Sequence, residues 1–382
     1  MTHIHLLYFD AGSGHRTAAQ AVAHALEGLD QQPYQVRTTN LLDLLADQPL
    51  LHAIGKYGIQ FANWNLRKES ILPASWQVKA FQWVQGRVPN ALLKRTHSFW
   101  HRHPPVLVLS LMPIANPFVW RSLKSAYPGC PLWILPVDFT EGGPRYWFTP
   151  EIPARYLLPT QGLHHQAQRA GIQPEAIAPL DGMPIHPYFY QSSLLDKDAE
   201  LQQLGLDPSL PTLLVHFGGQ GSTFVTQIAA QLNKLNGRFN AIFLCGRSTQ
   251  FYQQLQHMKS NFPRLVLPFQ AEIPVKFYQL ADFVIGKPGA MTLTEAMISG
   301  KPLIALKSKN LAFVQRGNED WIRNRQVGEV VEIKDLAAAV ERAFLHRGWQ
   351  EQIEPHRHQG IFTLRNLIMS YLRKDLSTPY TP

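Results

Sequence analysis

The sequence predicts an α/β protein made of two successive β/α domains that face each other across a crevice. Two observations lead there. A short apolar strand at 4–9 runs into Asp10-Ala-Gly-Ser-Gly-His15 and then an alanine-rich helix. The same order returns at Thr212-Leu-Leu-Val-His-Phe, which runs into Gly218-Gly-Gln-Gly221 and a second helix. A length of 382 residues is ample for two cores, and 45% hydrophobic content argues against global disorder.

In chain order, alternating apolar runs predict strands at 4–9, 34–39, 106–111 and 131–136, with helices at 15–28, 75–86 and 115–125. Residues 139–148 are rich in turn formers and predict a loop; a strand at 155–158 and a helix at 160–170 follow. Gly182-Met-Pro-Ile-His186-Pro breaks regular structure, and the polar stretch 191–211 reads as the passage between domains. The second half predicts strands near 241–245, 264–267, 282–285, 302–306 and 328–331. The division is therefore 1–190 and 191–358, with an amphipathic last helix (Phe362–Leu372, within 360–374) packing back on the first domain.

Composition narrows the setting. Cys130 and Cys245 are the only cysteines, which suits a reducing compartment and offers no zinc site. No apolar run is long enough to span a bilayer, since prolines 104, 105, 113 and 117 interrupt the nearest one, and no basic leader precedes the first strand. The net charge of +9 is concentrated in residues 49–105, where eight Lys or Arg stand against the single carboxylate Glu69. Trp64, Trp76, Trp83 and Trp100 are interleaved with them, a pattern that suits an anionic membrane surface. RNA could use the same chemistry, but no RNA-binding motif accompanies it. A solvated basic face over core aromatics is the plainer alternative.

The glycine turns carry the chemistry. The first lets a ligand approach the backbone and delivers His15 to the strand ends, where open α/β sheets bind ligands; a helix cap with an incidental histidine is the competing reading. Near the other end, Ala281-Asp-Phe-Val-Ile-Gly-Lys287-Pro-Gly-Ala-Met-Thr-Leu-Thr-Glu295 predicts a buried strand, a turn and a helix start. Such an N-terminus can face a diphosphate, and Glu295 could bind ribose hydroxyls or merely complement the helix dipole. Asp196-Lys-Asp198 reads as a solvated charge pair, and His97, His101 and His103 as surface residues, rather than as metal ligands.

Taken together and in order, these landmarks resemble the monogalactosyldiacylglycerol synthase and diacylglycerol glucosyltransferase group, and more distantly the glycosyltransferase of the peptidoglycan lipid precursor. The resemblance also runs through Pro136-Val-Asp138 with Trp147, Cys245-Gly-Arg247 and Gln315-x-Gly-Asn318. It implies a GT-B fold, two Rossmann-like domains, with the donor held mainly by the second. On this likeness His15 is the catalytic base, and Asp10, Gly12, Ser13, Gly14, Asp138 and Trp147 form the acceptor side. The donor side takes His186, Gly219, Gly221, Gln270, Ala271 and the turn Lys287, Pro288, Gly289, Ala290, Met291. Glu295 would bind ribose, and Gln315 and Asn318 the hexose.

Three departures stand out: Ser13 within the first glycine turn, Val137 before Asp138, and Phe313-Val314-Gln315 in the sugar-reading segment. The last leaves galactose, glucose and N-acetylglucosamine open as the transferred sugar. The expected activity is inverting transfer of a hexose from a UDP-sugar to a membrane lipid, foremost diacylglycerol, without metal or other cofactor. The expected partners are the donor, the lipid and an anionic membrane surface at the cytoplasmic face, with the protein peripheral and binding no nucleic acid. The alternatives are a lipid transferase using UDP-N-acetylglucosamine, a UDP-sugar 2-epimerase and a non-catalytic nucleotide-sugar or lipid binder. The carboxylate-poor first half speaks against the epimerase.

Overall fold

The computed structural model describes the chain apart from residues 11–13, 28–33, 50–51, 54, 61–89, 192–194, 220, 223, 271–272, 308–311, 346–347, 354–357 and 378–382. The helix expected at 75–86, and with it most of the tryptophan-rich basic segment, lies outside the described residues.

Two six-stranded sheets of parallel strands organise the molecule. The first comprises β1 (Thr2–Tyr8), β2 (Tyr34–Asn40), β3 (Pro105–Ser110), β4 (Leu132–Ile134), β5 (Arg155–Leu158) and β6 (Ile177–Pro179), in the spatial order 2-1-3-4-5-6. The second comprises β7 (Thr212–His216), β8 (Asn240–Leu244), β9 (Arg264–Leu267), β10 (Phe283–Gly286), β11 (Leu303–Leu306) and β12 (Gly328–Val331), in the order 12-11-10-7-8-9. β1 and β7 are the first strands of their sheets, and each is flanked on both sides. The chain reverses its direction of travel across the sheet there, which opens a crevice at their carboxyl ends.

Burial on both faces explains why these strands read as nearly continuous apolar runs. Ile4, Leu6 and Leu7 of β1 are fully buried, as are Leu213, Leu214 and Val215 of β7. His5 breaks the run in β1, but its Nδ1 meets Thr39 Oγ1 at 3.0 Å and its Nε2 meets the His103 carbonyl at 2.9 Å. Thus a polar ring is tolerated in the core because both nitrogens are satisfied.

Several boundaries differ from the pattern reading. The first helix spans Gly14–Ala25 rather than 15–28, and the strand expected at 131–136 keeps only Leu132–Ile134. β6 was not anticipated: three residues between Ala176 and Leu180, ending on a proline, carry too little periodicity. The polar passage contains the helix Lys197–Gln203, capped by Asp196, whose side chain accepts from the Ala199 amide at 3.1 Å. The last helix, Gly360–Ser377, seats Ile361, Leu364, Ile368 and Leu372 in the core shared with β1 and β3. Tyr371 stacks edge-on against Trp133 of β4 at 5.4 Å.

The domains meet where their glycine turns face each other. A side chain on Gly14, at the start of the first helix, would touch Met291 Cγ at 3.6 Å, at the start of the helix Ala290–Ile298. A second contact joins Phe139 to Trp321, with ring centres 5.0 Å apart.

Candidate active site

A cavity of about 340 Å³ lies in this cleft, walled by both domains. The first domain contributes Asp10, Gly14, Arg16, Thr17 and Gln20, and the connecting segment His186. The second contributes His216 at the end of β7, Gly218 and Gly219 after it, and Gly246 and Arg247 after β8. Phe269, Gln270, Met291, Thr292 and Glu295 also line it, with the apolar Leu244, Pro268, Ile273 and Pro274.

The glycines are there because the backbone leaves no room. Gly221 has φ +72°, and a Cβ on it would fall 2.5 Å from the Cys245 carbonyl oxygen. Gly246 has φ +59°, and a Cβ on it would fall 2.6 Å from the Gly221 amide nitrogen. The turns after β7 and β8 therefore lock into each other, which only glycine permits in this conformation. Gly219 adds its carbonyl to the Arg247 amide at 2.9 Å.

Charge in the cavity is arranged across the domain boundary. Asp10 pairs with Arg16, and burial raises its carboxyl pKa while Arg16 and Arg247 pull it back. Arg247 lies with its guanidinium 3.9 Å over the Phe269 ring, an arrangement that favours a cation on an aromatic face. Asp10 is thus a wall residue of the cavity shared by the two domains. His186 is also on the wall, but not as a cation. Burial, with His24 next to it, pushes its imidazole down to about 4. Its ring stacks on His24 at 4.4 Å, and its Nδ1 accepts from the Tyr188 amide at 3.3 Å, so its other nitrogen carries the proton. A neutral N–H donor is what it offers.

Glu295 is 6% exposed, and burial pushes its carboxyl up to about 7, opposed by a hydrogen bond from Tyr278. The Tyr278 hydroxyl donates to Glu295 Oε2 at 2.9 Å and lies 3.1 Å from His216 Nδ1. Burial and Lys287 together push His216 down to about 4.

His15 stands beside this cavity, not on its wall. Its Nδ1 meets the Leu111 carbonyl at 2.8 Å. A carbonyl can only accept, so the proton sits on Nδ1 and Nε2 keeps a lone pair. Burial lowers the imidazole to about 4, so the ring is neutral near pH 7. Trp147 lies 6.1 Å from it, and the indole donates to Asp138 Oδ2 at 3.0 Å. Burial pushes the Asp138 carboxyl up to about 7, with the Trp147 bond opposing. A neutral base, an indole and a buried carboxyl are therefore one connected group on the first domain.

The sequence candidates fall into three sets. Asp10, Gly14, His186, Gly219, Gln270, Met291 and Glu295 share the cavity wall. His15, Asp138 and Trp147 form the adjoining cluster. Lys287, Pro288, Gly289 and Ala290 make the turn behind the wall, with Gly221 inside its own turn. Asn318 is buried, and its Nδ2 donates to the Pro288 carbonyl at 2.7 Å, bracing that turn from the helix Ala312–Arg325. Gln315 belongs to the same helix. Gly12, Ser13 and Ala271 lie outside the described residues. Sequence reasoning gave no site role to Arg16, His216, Phe269 or Tyr278, and used Arg247 only as a landmark of the resemblance. His216 had a usable signal, since it ends a strand just before a glycine turn. Tyr278 had none.

Residues 212–346 match the model of the glycosyltransferase family 28 C-terminal domain. The chain is 27% identical over 348 residues to the probable chloroplastic monogalactosyldiacylglycerol synthase 2 of Oryza sativa subsp. indica, covering 88% of this chain and 69% of the relative. Among solved structures, MurG of Acinetobacter baumannii superposes with a TM-score of 0.57 at 15% identity, covering 97% of this chain and all of its own. Anabaena Alr3699/HepE, crystallised with UDP, gives 0.55 at 14% identity, covering 98% of this chain. Two parallel sheets facing a cleft, the match to the family 28 C-terminal domain in the second half and sequence similarity along most of its length make this chain a glycosyltransferase of GT-B fold, similar in sequence to the monogalactosyldiacylglycerol synthases.

Proposed function

We propose that the protein transfers a hexose from a UDP-sugar to diacylglycerol, with inversion. The observation that carries this reading is the state of His15: neutral, with Nδ1–H held by Leu111 and Nε2 free to take a proton. The acceptor hydroxyl oxygen attacks the anomeric carbon, the bond from that carbon to the diphosphate breaks, and the hydroxyl proton passes to His15 Nε2. UDP leaves into the cavity, where the backbone at Gly218 and Gly219, the neutral His186 and the guanidinium groups of Arg16 and Arg247 meet the developing charge. Glu295 takes the ribose hydroxyls. The relative's name supplies the lipid class, and the Anabaena protein's UDP is consistent with the nucleotide.

In this reading the protein works at an anionic membrane surface on the cytoplasmic side. No helix among the described residues is long and apolar enough to cross a membrane. Tyr57, 72% exposed within the basic segment, fits an interfacial role. A matrix of UDP-galactose, UDP-glucose and UDP-N-acetylglucosamine against diacylglycerol, with mass spectrometry of the products, tests the proposal. Hexosyl-diacylglycerol with stoichiometric UDP is expected. No lipid product from any donor, or conversion of UDP-N-acetylglucosamine without lipid, refutes it.

A further inference from the structure

Tyr278 stands behind the cavity wall and touches two groups that are part of it. Its hydroxyl donates to Glu295 Oε2 at 2.9 Å and meets His216 Nδ1 at 3.1 Å. The residue is fully buried, with its ring edge-on to Phe189 at 5.4 Å. A phenol has one proton to give. With that proton committed to Glu295, the phenol oxygen can only accept from His216, which must then carry its own proton on Nδ1.

We propose that Tyr278 is a positioning residue for nucleotide recognition: it locks one oxygen of Glu295, leaves the other for the ribose hydroxyls, and ties the tautomer of His216 to the protonation of Glu295. The proposal rests on the reading of this cavity as a UDP-sugar site.

Two proton arrangements satisfy the three groups. With Glu295 ionised, His216 donates to Tyr278, Tyr278 donates to Glu295, and His216 keeps a lone pair on Nε2. With Glu295 protonated on Oε2, every bond reverses and His216 Nε2 bears the proton. Ribose hydroxyls donate most strongly to a carboxylate, so nucleotide binding selects the ionised arrangement. Binding should therefore strengthen as pH rises through the Glu295 transition near 7. The other titratable groups at hand are Lys287, which acts on His216, and Asp10, Arg16, His186 and Arg247 on the shared wall. Glu295 itself responds to burial and to Tyr278. Losing the phenol hydroxyl removes a hydrogen bond that favours the carboxylate, so the transition must move upward.

Calorimetric titration with UDP-galactose and UDP-glucose tests this on the full chain, because neither ligand has a diphosphate that ionises near neutrality. Wild type should bind at least one of them, more tightly with rising pH. Tyr278→Phe should bind about tenfold more weakly at pH 7, as loss of one charge-assisted bond implies, with the midpoint displaced upward. In a Glu295→Gln background the pH dependence should vanish, and Tyr278→Phe should then change affinity by no more than about twofold. Equal losses in both backgrounds, or an unmoved midpoint, overturn the positioning role while leaving the cavity a nucleotide site. Failure of wild type to bind either ligand overturns the cavity reading and the proposal with it. Should Tyr278→Phe not fold, the ring-nitrogen NMR shifts of His216 in wild type decide the matter: its proton should move from Nε2 to Nδ1 as pH rises through the midpoint, and a tautomer that stays put is equally fatal.

Discussion

Replacing Glu295 by glutamine should stabilise the empty protein while weakening its hold on nucleotide. The carboxyl is buried in a helix whose nine residues are all buried, and its pKa rises from 4.5 to about 7. An unfolded chain loses this proton near 4.5, and the folded protein only near 7. As pH climbs through that window the unfolded state ionises first, so stability falls; above it both states are ionised and the full cost of the buried charge remains. At about 1.4 kcal/mol per pKa unit, the cost reaches roughly 3 kcal/mol at pH 8. Glutamine keeps the shape and still accepts from Tyr278, but its amide brings two donors that need partners. A net gain of about 1–2 kcal/mol is therefore expected. At about 2–4 °C per kcal/mol for a domain of this size, Tm should rise by roughly 2–8 °C at pH 8. Near pH 4.5 most of the gain should be gone, since the folded carboxyl is then neutral in wild type too. Calorimetric melting of both proteins without ligand at the two pH values measures this. A lower Tm for Glu295→Gln at pH 8, or the same gain at both pH values, refutes the reasoning.

Three further outcomes follow from the same geometry. His15→Ala should lower kcat by about 100-fold or more, the usual scale for loss of a general base, with UDP affinity unchanged by titration; near-normal turnover would make His15 structural. Lys94 and Arg95, both exposed, should support docking on anionic vesicles. Changing both to glutamate should abolish most co-sedimentation, at roughly 1 kcal/mol per basic residue, and binding indifferent to lipid charge would dismiss the idea. His5, fully buried and lowered to about 3, should make the first domain acid-labile. Below its unfolded pKa of 6.5 the unfolded chain takes up the proton first, so stability drains away toward pH 3 by as much as about 5 kcal/mol. His5→Asn should flatten that slope in acid titrations followed by circular dichroism, and an unchanged slope would acquit His5.

Most of the fold was legible because parallel strands buried on both faces leave continuous apolar runs, and glycine turns mark where they end. Thr212–His216 into Gly218–Gly221 is the clearest case: the strand needs its side chains buried, and the turn needs two residues at positive φ. β6 escaped because three residues at a sheet edge, closing on Pro179, leave no period to detect. The clustering of His15, Asp138 and Trp147 was legible only through resemblance. Nothing in local spacing says that the Trp147 indole will turn to Asp138, or that His15 will give its Nδ1–H to a carbonyl 96 residues away.

What local pattern cannot carry is the coupling between groups brought together by the cleft. The field of Arg247 reaches Asp10 from the other domain, and Tyr278 links a strand end at His216 to a helix at Glu295. In both cases the sequence displays each residue with an ordinary local purpose: a turn cation, a helix tyrosine, an acidic residue near a helix start. Burial alters that purpose. Once Glu295 is enclosed, its proton affinity rises into the neutral range, and the single proton of Tyr278 then decides which way the chain of hydrogen bonds runs. In the proposed reading, recognition of nucleotide depends on a residue that is not on the cavity wall, whose importance follows from counting donors and acceptors around one enclosed carboxyl.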